Sequence, residues 1–190
     1  MAVLCTAGTP AARRSAGGAV PPDHPRVALL PFENLAGREE QSQLFTRVFF
    51  AQLAASGALD MVDPAAVDAA MDTLGMRSAY AVTPAGLRAL ADTLHAGYVM
   101  IGSVLESGTV QGGSGPVPAV GATLRLVEIP SGKVRWAAVH FRSGEDHETL
   151  FGWGRVTSAE RLVDELAHDM LQDFRDAGRP APGGRKGKER

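Results

Sequence analysis

The chain has a single cysteine, Cys5, among its 190 residues. One thiol excludes an internal disulfide framework and a zinc site built on cysteines. No apolar run approaches the roughly 18 residues of a membrane-spanning helix. A dominant charge of one sign is also missing: the formal net charge is −2, which supplies no overall drive toward nucleic acid. Catalytic signatures are equally scarce. Gly112-Gly113-Ser114-Gly115 lacks the Lys-Ser/Thr that would complete a phosphate-binding loop, so flexibility accounts for it better. Ser103, Ser107 and Ser114 have no nucleophile-elbow context, and no motif places a His/Asp pair beside them. No internal repeat is visible. What remains is a globular composition, 45% hydrophobic and 21% charged, sized for one domain plus tails.

The two ends carry no periodicity. Residues 1–25 are dominated by Ala, Gly, Pro, Ser and Arg and read as a flexible leader or linker. Residues 178–190 read as a disordered basic tail, with Arg185, Lys186, Lys188 and Arg190. Cys5 ahead of such a linker has two readings, a lipid-anchored residue or an ordinary thiol. Four residues before it are too few for a signal peptide. Ala2-Val3-Leu4-Cys5 also departs from a bacterial lipobox, so the lipid reading requires a start upstream of Met1.

Between these ends, residues 26–177 read as one α/β domain. Val27, Ala28, Leu29 and Leu30 form an apolar run suited to a strand covered on both faces. Pro31 cannot donate to a ladder, so the chain is expected to leave the sheet there. A helix follows over about 39–56, with Leu44, Phe45, Val48, Phe49 and Leu53 on one face. Residues 59–62 are a short second strand. Asp63-Pro64 and Thr83-Pro84 are cap-and-proline helix starts; an anion at the second is a weaker reading than plain capping. Residues 97–105 are a third strand. The Gly-, Ser- and Pro-rich stretch 106–121 reads as a mobile loop. Period-two alternation on both sides of Pro130-Ser131-Gly132 predicts a hairpin over 124–141. Residues 146–154 read as a loop containing Phe151 and Trp153, and Thr157-x-x-Glu160 as a capping box opening the last helix. The order β-α-β-α-α-β-β-β-α predicts a single layered domain, a mixed sheet of about five strands with helices on its faces.

His140, Asp146, His147 and Glu148 are the one cluster with metal-binding chemistry. No third strong ligand falls at a helical spacing, so a solvated polar turn is the preferred account. No metal and no cofactor is expected.

Four motifs in order carry a resemblance. Val27-Ala28-Leu29-Leu30-Pro31-Phe32-Glu33-Asn34 is similar to the opening strand of the family around the curli secretion channel protein CsgG. That group includes the lipoprotein activators of penicillin-binding proteins, the flagellar lipoprotein FlgO and the amino-terminal domain of TolB. Leu59-Asp60-Met61-Val62-Asp63 resembles the family's second strand, Phe-x-Val-Val-Asp. Residues 96–104, with Gly97, Tyr98, Val99, Gly102 and Ser103, resemble its Gly-Ala-Asp-Tyr-Val-Leu-x-Gly-Ser strand. Residues 124–136, ending in Gly132, Val134 and Trp136, resemble its hairpin.

The resemblance implies a bacterial envelope protein, often lipid-anchored, that works by binding other proteins. The expected setting is the periplasm, with outer-membrane anchoring through Cys5; a cytoplasmic location is the alternative. Expected partners are an envelope protein or further copies of the chain, and no nucleic acid. The segments 76–82 and 143–155 are too short for the barrel-forming insertions of the channel proteins, which speaks against a pore. Phe151 and Trp153 are the candidate partner contacts, with core capping as the competing role of Trp153. The alternative function is a small α/β domain holding a nucleotide or other small ligand at its strand ends.

Overall fold

The computed structural model describes residues 24–37, 39–79, 83–113, 115–146 and 156–178. The leader, the basic tail and the segment carrying Phe151 and Trp153 lie outside these residues.

Strand β1 (Arg26–Leu29) is central because its side chains are apolar in both directions. Val27 and Leu29 enter one core cluster, Ala28 and Leu30 the other. The ladder continues to Leu30, whose amide donates to the Met100 carbonyl at 2.9 Å. Pairing stops at Pro31, as a residue without an N–H requires. The amide of Phe32 turns away to the Thr46 hydroxyl, 2.8 Å away on the first helix. The expectation that the chain then leaves the sheet is corrected. It returns as β2 (Glu33–Asn34), parallel to Ser103 and Val104, because the Thr46 bond satisfies the one amide that the excursion strands.

Helix α1 (Glu39–Ser56) buries Phe45, Phe49 and Leu53. Phe32 meets Phe49 with ring centroids 4.8 Å apart. That ring also lies over Gly102, where a Cβ would stand 2.4 Å from it. Each such ring taken from water contributes about 1.5–3 kcal/mol. After β3 (Asp60–Met61) come α2 (Pro64–Thr73) and α3 (Pro84–Leu94). Both start as the cap-and-proline pairs predict: the Asp63 carboxylate accepts from the Ala65 amide and the Thr83 hydroxyl from the Gly86 amide.

Strands β4 (Tyr98–Gly112), β5 (Gly115–Glu128) and β6 (Lys133–Ser143) follow, then α4 (Ala159–Gly178). The mixed sheet runs β3-β1-β4-β5-β6, with β2 also beside β4. β1, β3 and β4 are parallel neighbours; β4-β5-β6 is an antiparallel meander. This is the predicted layered α/β architecture, with one short strand more.

Two local expectations are corrected. Residues 106–121 are not a loop but the far half of a long hairpin, paired from Glu106↔Gly121 to Gly112↔Gly115. Its prolines fit because of where their missing donors face. The carbonyl of Pro118 points away from β4, to the Gly144 amide at 2.8 Å. Pro116 has the same parity, and β6 pairs with β5 only as far as Ala119. Neither proline therefore costs a β4–β5 hydrogen bond. At α4 the cap is Ser158, whose hydroxyl accepts from the Arg161 amide at 3.4 Å. The helix ends at Gly178.

The β5–β6 hairpin forms as predicted. Its turn closes with the Gly132 amide on the Glu128 carbonyl at 2.8 Å, and Gly132 adopts φ +66°, a region that favours glycine.

Candidate functional site

Several sequence candidates cannot be placed: Cys5, Ser114, His147, Glu148, Phe151 and Trp153 all lie outside the described residues. The placed half of the polar cluster does not converge. His140 faces α4, with Nε2 3.1 Å from Asp173 Oδ2. Asp146 instead closes the strand end, accepting from the Ser143 amide at 3.0 Å and hydroxyl at 3.1 Å. Among the described residues no group of three or more His, Cys, Asp or Glu side chains is gathered. Gly112 to Gly115 forms a hairpin tip, a strand-to-strand turn instead of the strand-to-helix loop that cradles phosphate. Ser103 is fully buried, and among the described residues its hydroxyl has no hydrogen-bond partner, base or otherwise.

Two surfaces stand out. The first follows from unequal covering of the sheet. On one side, α1 and α4 pack over Val104, Leu124, Trp136 and Ala138 in one cluster. Trp136 meets Phe174 of α4 edge-on at 5.2 Å, and Arg142 of β6 bonds Asp169 of α4 through Nε at 2.7 Å. On the other side, α2 and α3 cover Ala28, Leu30, Val99 and Ile101, and their cluster reaches β5 only at Val127, next to Ile129 just past the strand's end. Alternation along β6 turns Ala137, Val139 and Phe141 to this second side. Ala137 and Val139 are half-buried, and Phe141 is 44% exposed, its ring lying over Gly121. β6 is moreover the last strand of the sheet, with no described strand beyond it. The signal for this surface is in the sequence: the same period-two pattern that predicts the hairpin also gives β6 an apolar outer face.

The second surface is a cleft of about 660 Å3 beyond the carboxyl ends of β1 and β3. The chain leaves these neighbouring strands on opposite sides of the sheet. After β1 it enters α1, on the Met100 side; after β3 it enters α2, on the Val99 side. Diverging connections of this kind open a crevice at the strand ends. Leu29, Phe32 and Met71 form its apolar part, and Arg47, Asp68 and Arg77 line it from the helices and the stretch after α2. Glu33, on β2, is held there by the Ser78 hydroxyl, which donates to Oε1 at 3.0 Å. Its Oε2 is buried and has no hydrogen-bond partner among the described residues. Single carboxylates of this kind carry no sequence motif, so no local pattern marks Glu33 for this cleft.

No protein-family model matches the chain, and no curated protein matches it in sequence. Solved structures do resemble it in fold. A dodecamer of a singly substituted PelC from Paraburkholderia phytofirmans matches at a TM-score of 0.59 and 22% identity, over 86% of this chain and 98% of that one. Lipoprotein GNA1162 from Neisseria meningitidis matches at 0.59 and 21% identity, over 80% and 99%. Protein XCC0632 from Xanthomonas campestris matches at 0.50 and 7% identity, over 86% and 94%. The chain thus shares its fold with these proteins, lipoprotein GNA1162 among them.

Proposed function

We propose that this chain is a non-enzymatic accessory protein of the bacterial cell envelope, working by contact with other protein chains, copies of itself included. The carrying observation is the outer side of β6, where Ala137, Val139 and the exposed ring of Phe141 lie beyond the α2–α3 cluster, on the last strand of the described sheet. Apolar side chains on a marginal strand, flanked here by Thr123 and Arg125 of β5, suit contact with a partner chain. Supporting it are the fold shared with lipoprotein GNA1162 and with dodecameric PelC, and the four ordered motifs that resemble the CsgG group. In this proposal the leader tethers the domain, Cys5 carries the lipid, and Phe151 and Trp153 extend the contact surface. The setting is periplasmic, at the outer membrane.

The test is in-cell crosslinking from a photoreactive amino acid placed at position 141, with fractionation of the same cells. The expected result is recovery with the envelope and discrete crosslinked adducts of defined mass. Recovery in the cytosol alone would overturn the location. Absence of adducts from a folded, envelope-localised protein would remove the β6 surface from the contact.

A further inference from the structure

We propose that the cleft at the ends of β1 and β3 binds a small zwitterion, a short peptide with free amino and carboxyl ends. Its ammonium sits at Glu33 and its carboxylate at Arg47 and Arg77. The position is the first reason. In open α/β sheets the crevice where neighbouring strands send their connections to opposite sides is the habitual ligand site, and this cleft of about 660 Å3 is within the size range of small-ligand pockets.

The second reason is unsatisfied chemistry. A buried carboxylate oxygen without a partner costs folding free energy, and Glu33 Oε2 is such an atom. The Ser78 hydroxyl occupies Oε1, which leaves Oε2 as the acceptor without a partner among the described residues. A carboxylate accepts only, so its complement is a donor, and an ammonium gives the strongest bond. On the same cleft, Arg47 and Arg77 form no ion pair among the described residues. Guanidinium groups recognise carboxylates through paired N–H donors.

The balance of charge narrows the ligand further. Glu33 and Asp68 oppose Arg47 and Arg77. A purely anionic ligand such as a nucleotide would bring its phosphates against Glu33, and the cleft has no glycine-rich loop to cradle them. A simple cation would leave the arginines unused. A zwitterion meets both, and Leu29, Phe32 and Met71 supply an apolar patch for a small side chain.

The test uses the 15N-labelled full chain and three probes: Ala-Ala, its N-acetyl form without the ammonium, and its amide without the carboxylate. Ala-Ala should give saturable shifts at Glu33, Arg47 and Ser78, and each blocked form should bind at least about tenfold more weakly. Glu33→Gln should erase the distinction between Ala-Ala and the acetylated form. Arg77→Ala, at an exposed position, should erase the distinction between Ala-Ala and its amide. No saturable shift up to about 10 mM, beyond the millimolar affinity range, would overturn the proposal. Equal binding of all three probes, or an unchanged preference in either folded variant, would do the same.

Discussion

Glu128 illustrates how single side chains hold the hairpin end together. Nη2 of Arg135 lies 2.9 and 2.8 Å from its two carboxylate oxygens, and the Ser131 hydroxyl donates to one of them across the turn. The hydrogen bonds from Arg135, then that from Ser131, hold the Glu128 carboxyl below the usual carboxylate range. Tyr98, 3.4 Å from the same carboxylate, is pushed the other way, first by burial and then by the charge of Glu128. For Glu128 the folded form is the stronger acid. Its stabilising share is present above the unfolded value of about 4.3 and is lost as pH falls through the lower, folded value. Glu128→Gln should therefore melt earlier than the parent near neutrality, and the gap should shrink as pH drops below about 4.3. Thermal melts at a series of pH values read this directly. A gap that stays constant across the series would mean that the carboxylate's charge contributes nothing.

At the scale of elements, the sharpest prediction concerns the turn between β5 and β6. Gly132 sits at φ +66°, where a β-branched side chain is strained, so Gly132→Val should cost roughly 1–3 kcal/mol. Denaturant titration checks it, and an unchanged midpoint would mean that the register is wrong. This hairpin was legible because its alternation and its turn chemistry agree. So were α2 and α3, whose Asp63-Pro64 and Thr83-Pro84 starts are local signals. The β4–β5 arm was not legible from composition. Glycine and proline argue for a loop wherever a sheet's edges are unknown, and Pro116 and Pro118 are strand residues only because their donor sides face past the end of β6. The return of the chain as β2 was hidden for a similar reason, since it depends on the Thr46 hydroxyl fourteen residues away. The cleft at Glu33 follows from topology, which no local pattern encodes, while the outer face of β6 was implicit in its alternation.

For the whole molecule, the unequal covering of the sheet is the feature with consequences for assembly. Helix α4 is fastened to β6 by its apolar face and by His140–Asp173 and Arg142–Asp169, so the strand is held firmly in place at the sheet's margin. Proteins usually blunt such an edge with charge. Here Lys133 and Arg135 do so only near the turn, His140 and Arg142 are turned toward α4, and the outer positions Ala137, Val139 and Phe141 are uncharged. An edge of 11 residues, about 36 Å long at about 3.3 Å per residue, offers a second chain both backbone pairing and an apolar face. Introducing charge at exposed Phe141 should cost the fold little, because surface changes usually stay within about 0.5 kcal/mol, and at half-buried Val139 somewhat more. It should cost association much more, because an unpaired charge would be buried at the contact. The expected outcome for a Val139→Lys, Phe141→Glu double variant is a cooperative melt at a modestly lower temperature and loss of the larger species in sedimentation velocity. A parent protein that sediments as a monomer at the highest soluble concentration would refute self-association through this edge. An assembled parent with an equally assembled double variant would move the interface elsewhere on the molecule.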